Sequence, residues 1–178
     1  MQPIANICSK AGNLLQEFLL AQDNKTPAPA SAPIPQQQPP AANIYKTKFD
    51  AAVFKSTNST GIGVIIRDCG GNAIGAVTMP VPVSSSVAEL EALACRRANQ
   101  FTIEIGPRKV IFEGDSAEVI QAISQGNSDF SVYGNILEDI RLQAAGLEFY
   151  NFCHVNRKCN IVADALAQKA KNCMGLEV

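Results

Sequence analysis

The sequence predicts an α/β fold: a five-stranded mixed sheet, made of an antiparallel three-strand meander plus two crossover strands, with helices on both faces. Three observations carry this expectation. Three apolar, β-branched runs between residues 44 and 79 are separated only by short turn sequences, the pattern of a meander. Two later strand-like runs, Val110–Glu113 and Leu147–Val155, alternate with segments whose apolar residues recur at helical spacing, so crossover connections must join them to the sheet. The apolar fraction of 47% suffices for an ordinary globular core.

The chain opens with residues 1–22. Ile4, Ile7, Ala11, Leu14, Leu15, Phe18 and Leu19 share one face of an expected amphipathic helix, with Asn6, Lys10, Asn13, Gln16 and Glu17 opposite. Such a face needs something to pack on, either another protein or an upstream domain. Its polar side has too few Lys and Arg for a membrane-surface helix. No secretory leader and no membrane span are expected. Residues 23–42 are rich in Pro, Ala and Gln and form an extended linker.

The folded domain is expected over residues 43–172, followed by a tail over residues 173–178. Its first strand runs from Ile44 to Phe54, with Asp50 in the middle between Phe49 and two alanines. Gly61–Arg67 and Ala73–Met79 follow, joined by the tight-turn sequence Asp68-Cys69-Gly70-Gly71. Pro80 and Pro82 break the strand pattern. Ser84, Ser85 and Ser86 offer N-caps for a long helix to about Ile105, whose core stripe is Leu90, Leu93, Ala94, Ala98, Phe101 and Ile105. A short buried strand, Val110-Ile111-Phe112-Glu113, ends at Gly114-Asp115. Ser116 caps the helix carrying Val119, Ile120 and Ile123. A third helix is expected from Ser131 to Ala145, a fifth strand from Leu147 to Val155, and a last helix from about Asn160.

Charge and cysteine content narrow the function classes. With 15 basic and 16 acidic residues the net charge is −1, against the basic excess of a strong non-specific polyanion binder. Six cysteines without a Cys-x-x-Cys pair, beside a single histidine, make a zinc site improbable. The thiols fall in apolar segments, as expected of an intracellular protein in a reducing compartment.

Four acids stand at suggestive places: Asp50 in mid-strand, Glu89 at the head of the long helix, Asp115 at the end of the fourth strand, and Asp164 among alanines on the last helix. An isolated strand-Asp-Ser-helix sequence reads equally well as a capping acid. If the four converge, their repulsion demands cations, and hard oxygen ligands select Mg²⁺ or Mn²⁺. Two such ions about 4 Å apart suit in-line attack of water on a phosphodiester.

Phe49-Asp50-Ala51-Ala52, Glu89-Leu90-Glu91-Ala92, Gly114-Asp115-Ser116 and Asn160-Ile161-Val162-Ala163-Asp164-Ala165-Leu166-Ala167 resemble, in order, the motifs of type 1 ribonuclease H. The resemblance is greatest to the plant, retroelement-derived reverse-transcriptase-like domains of that superfamily and covers about residues 43–170. Each motif alone is weak; the ordered set is specific. The resemblance implies a ribonuclease H-like fold and a metal-dependent endonuclease, using two Mg²⁺ or Mn²⁺ ions, that cuts the RNA strand of RNA–DNA hybrids. It implies Asp50, Glu89, Asp115 and Asp164 as catalytic and metal-ligating residues; a monomer is expected as the working state. Glu89 is preferred over Glu91 as the acid of the Glu-Leu-x-Ala run. Asn160 is expected to cap the last helix or assist the site. His154 is a candidate auxiliary base, although its segment reads as a strand end. Where the family usually has Asp-Gly, this chain has Asp50-Ala51, a change that matters only if the backbone there needs positive φ. Arg67, Arg96, Arg97, Arg108, Lys109, Arg157 and Lys158 are scattered candidates for phosphate contacts. A nucleic-acid-binding or protein-interaction module with little or no turnover is the alternative expectation.

Overall fold

The computed structural model describes residues 40–126, 133–173 and 175–178. The expected helix over residues 1–22, most of the linker and the expected start of the third helix at Ser131 lie outside the described residues. Five strands form one sheet: β1 (Tyr45–Phe54), β2 (Ser59–Arg67), β3 (Ala73–Val81), β4 (Lys109–Gly114) and β5 (Phe149–His154). Their spatial order is β3-β2-β1-β4-β5. The first three pair antiparallel, and β1 with β4 and β4 with β5 pair parallel. The helices are α1 (Val87–Ile105), α2 (Ala117–Gln125), α3 (Gly134–Ala144) and α4 (Ile161–Lys169). This is the mixed, meander-plus-crossover sheet anticipated from the sequence.

Side-chain alternation divides β1 between the two faces of the sheet. Phe49 turns to the main core, where it joins Val64 and Ile66 of β2, Leu-, Ala- and Phe-type residues of α1 such as Ala94 and Phe101, and Leu137 and Ile140 of α3. Lys48, Asp50 and Ala52 turn to the other face, which α4 covers through Ala163, Leu166 and Ala167. Among the described residues, three helices thus pack on one side and one on the other.

One local expectation changes. The strand β3 continues through Pro80 to Val81 rather than stopping before the prolines. It lies at the edge of the sheet, where a residue without an N–H forfeits no interior ladder bond. The tail returns to the same edge. Thr78 and Glu177 exchange backbone hydrogen bonds of 3.0 and 2.9 Å. Among the described residues, no helix is long and apolar enough to cross a membrane.

Candidate active site

The sheet brings Asp50 and Asp115 together because β1 and β4 are parallel neighbours. Lys48 stands beside Glu113, so Asp50, two residues further on, lies next to the end of β4, where Asp115 leaves the sheet. Glu91 reaches the same point from the second turn of α1. One carboxylate oxygen from each of Asp50, Glu91 and Asp115 lies within 4.8 Å of the others.

This arrangement is costly for the fold. Asp50 is 2% exposed and Glu91 7%. Asp50 Oδ1 accepts the Ala51 N–H at 2.8 Å, whereas Asp50 Oδ2 and Glu91 Oε2 are buried with no hydrogen-bond donor. Burial, then the nearby Asp115 carboxylate, pushes Asp50 up to about 7 despite the Ala51 hydrogen bond. Burial, then the charges of Asp50 and Asp115, pushes Glu91 up to about 9. Buried oxygens that lack donors and repel one another suit a cation, and an all-carboxylate donor set suits a hard divalent ion.

Asp164 stands at the rim. It occupies the first turn of α4, its side chain is one-third exposed, and its charge acts on both Asp50 and Glu91. The helix α4 can lie close to the sheet because β2 carries glycines beneath it. A Cβ on Gly63 would strike the Ala163 carbonyl and the Ala167 N–H, and one on Gly61 would strike Ala170. The alanine run of the last helix is the other half of this fit.

Glu89, the acid preferred from sequence, is not in the cluster. Its Oε2 accepts the Ser85 hydroxyl at 2.6 Å and the Ser85 N–H at 2.8 Å, while its own N–H donates to Ser86 Oγ at 3.1 Å. It is the acidic half of a capping arrangement at the head of α1. Those Ser85 hydrogen bonds hold its carboxyl below the usual range. The structure therefore replaces Glu89 with Glu91 as the acid that meets Asp50 and Asp115. The signal was available in the helix period: Glu91 shares a stripe with Cys95, Ala98 and Thr102, all buried.

Asn160 does not cap α4 with its side chain. It is fully buried and donates through Nδ2 to the Phe49 carbonyl at 2.8 Å, tying the start of α4 to the residue before Asp50. His154 ends β5 beside Gly114, is exposed, and places Nε2 3.2 Å from the Asp115 carbonyl oxygen. Its contact is with the backbone of Asp115. Ala51 in place of the family glycine is accommodated, since the positive-φ non-glycine residues among those described are Asn43 and Asn58.

Sequence reasoning overlooked one support of the site. Lys46 and Lys48 each approach Glu113 to 3.0 Å, and Lys48 Nζ also donates to the Cys159 carbonyl at 2.5 Å. This partly buried group binds β1, β4 and the 3-10 turn Arg157–Cys159 together behind the carboxylates. An open pocket of about 440 Å³, lined by Tyr45, Ile74, Ile105, Pro107, Arg108 and Glu148 among others, lies by the start of β1 and β4, at the far end of these strands from the acids.

Comparison with known proteins agrees with this architecture. No curated protein sequence matches the chain. Among solved structures, RNase H1 from the halophilic archaeon Halobacterium salinarum superposes with a TM-score of 0.67 at 19% identity, covering 72% of this chain and 98% of that one. LC11-RNase H1, isolated from compost and solved in complex with an RNA/DNA hybrid, gives 0.64 at 20% identity, covering 72% and 96%. The foamy viral protease-reverse transcriptase bound to an RNA/DNA hybrid gives 0.59 at 15% identity, covering 82% of this chain and 22% of that one. These likenesses establish an RNase H fold. The reverse transcriptase-like family matches residues 48–170, most of the chain, and the protein belongs to that family.

Proposed function

We propose that the protein is a metal-dependent ribonuclease H that hydrolyses the RNA strand of RNA–DNA hybrids. The observation that carries this reading is the meeting of Asp50, Glu91 and Asp115 at one point, with two buried carboxylate oxygens lacking any donor. Solved relatives of the same fold that hold RNA/DNA hybrids support the choice of substrate.

In this reading Asp50, Glu91 and Asp115 hold Mg²⁺ or Mn²⁺, with Asp164 completing the set from the rim; two ions are proposed. Bound there, such ions would supply Lewis-acid stabilisation of the attacking and leaving oxygens of a phosphodiester. The chain's own contribution is positioning. Burial keeps Asp50 and Glu91 short of water, so their charge is expressed fully toward a bound cation. Asn160 fixes α4 against β1, and the Lys46–Glu113–Lys48 group fixes β1 against β4. His154, whose Nε2 lies 3.2 Å from the Asp115 carbonyl oxygen, is proposed as an auxiliary group beside the site.

The near-neutral charge of the chain favours weak hybrid binding, and the protein is expected to act as a monomer. It also favours the second reading, a module that binds nucleic acid without turnover. A labelled RNA–DNA hybrid incubated with the full chain in Mg²⁺ or Mn²⁺ separates the two. Metal-dependent nicking of the RNA strand supports the enzyme; binding with no cleavage in either metal supports the module.

A further inference from the structure

Arg157 brings a positive charge to the carboxylates from within the chain. Its Nε lies 4.0 Å from Asp115 Oδ2, and its Nη2 lies 3.8 Å from Asp164 Oδ1. Both separations exceed hydrogen-bond length, and the side chain is 75% exposed, so the attraction is coulombic and loosely held. The same charge opposes the rise of the Asp50 and Glu91 carboxyls that burial and mutual repulsion produce.

The backbone under Arg157 is, by contrast, well fixed. Asn156 caps the turn by accepting the Lys158 N–H at 3.0 Å, the Cys159 N–H donates to the Asn156 carbonyl at 2.7 Å, and the Asn160 N–H donates to the Arg157 carbonyl at 2.9 Å. Lys48 holds the far end of the turn at Cys159. The fold therefore keeps the base of Arg157 stationary and leaves its guanidinium free to change partners. Tighter ion pairs occur elsewhere in the fold. The bidentate pair between Arg97 and Glu104, for example, closes to 2.7 and 3.0 Å.

We propose that Arg157 is a built-in counterion of the metal-free carboxylate cluster, displaced from Asp115 and Asp164 when a divalent cation binds. The inference rests on the reading of these acids as a metal site. It assigns Arg157 a regulatory and positioning role: it lowers repulsion in the metal-free protein and sets the concentration at which metal enters.

The test is Mn²⁺ binding to the full chain, followed by the electron paramagnetic resonance signal of free Mn²⁺, for wild type, Arg157→Gln, Arg157→Lys and Glu91→Gln. Arg157→Gln is expected to bind Mn²⁺ more tightly than wild type, by up to about fivefold, the range of an exposed ion pair removed from competition. Its metal-free melting temperature should fall. Arg157→Lys, which keeps the charge, should remain near wild type in both measurements. A merely structural arginine would lower stability without tightening metal binding. Equal or weaker Mn²⁺ affinity in Arg157→Gln, while wild type binds and Glu91→Gln does not, overturns the counterion role and leaves the metal site standing. Failure of wild type and Arg157→Gln alike to bind Mn²⁺ overturns both.

Discussion

Asp50 and Gly63 face one another across the β1–β2 ladder, and the missing side chain at Gly63 makes the room through which α4 brings Asp164 toward Asp50. Gly63→Ala should therefore destabilise the fold by about 1–3 kcal/mol, as overpacking against backbone does. It should also weaken metal binding by pushing α4 outward. Denaturant unfolding, paired with Mn²⁺ titration of the folded protein, measures both effects. A variant as stable as wild type would mean that the close approach of α4 is not needed.

The two acids at the head of α1 are expected to part company on mutation. Glu91→Gln removes a buried carboxylate from the cluster and should suppress cleavage by orders of magnitude. Glu89→Gln keeps a hydrogen-bonding side chain at an exposed cap and should leave cleavage near wild type. Ser86→Ala should cost about 1 kcal/mol through loss of the N-cap, again without abolishing turnover. Hybrid cleavage by the three variants, each checked for folding by circular dichroism, measures this. Strong loss in Glu89→Gln with activity retained in Glu91→Gln would reverse the assignment.

Stability should depend on pH in a direction set by the raised carboxyls. In the metal-free protein Asp50 sits at about 7 and Glu91 at about 9, under the influence of burial, Asp115, Asp164 and Arg157. Between the unfolded carboxyl range, about pH 4, and these values, the folded state holds more protons than the unfolded state. Their contribution is full at acid pH and is lost as pH rises through 7 and then 9. Glu91→Gln mimics the protonated side chain, so its melting temperature relative to wild type should climb steadily over that interval. Mg²⁺ should raise the wild-type melting temperature most at the alkaline end, by binding to the deprotonated cluster. A pH-independent difference between the two proteins would contradict the burial of Glu91.

Asn160→Ala should remove the buried donor to the Phe49 carbonyl and cost about 1–3 kcal/mol. It should also lower hybrid cleavage, because the tie between α4 and the strand carrying Asp50 is lost. His154→Ala, whose contact is with the backbone of Asp115, is expected to reduce cleavage far less than Asp115→Asn. A loss as large as that of Asp115→Asn would give His154 a part in proton transfer.

Much of this architecture was legible in the sequence because each strand and helix announces itself locally. The apolar run before Gly114-Asp115 and the Ser116 cap identify β4 and α2 with no tertiary information. Asp50 and Asp115 stood out as candidates, since a carboxylate in mid-strand and one at a strand end need a reason to be there; that they meet is a tertiary fact. Glu89 was preferred to Glu91 because its motif neighbourhood outweighed its helix phase, yet Ser86 three residues before it already described a cap, and Glu89 lies outside the cluster. Asn160 looked like a cap for the same kind of local reason, whereas its partner, the Phe49 carbonyl, lies 111 residues away. The Lys46–Glu113–Lys48 group and the approach of Arg157 to Asp115 were not legible, because strand register and the path of the last turn exist only in the folded chain.

The most direct measurement is cleavage of a labelled RNA–DNA hybrid by wild type and Glu91→Gln across a titration of Mg²⁺ and Mn²⁺. Metal-dependent nicking of the RNA strand by wild type, sparing of duplex DNA that lacks the 2′-hydroxyl, and near-complete loss in Glu91→Gln are expected. Hybrid binding without cleavage by wild type in either metal, or equal cleavage by the two proteins, would contradict the proposed function.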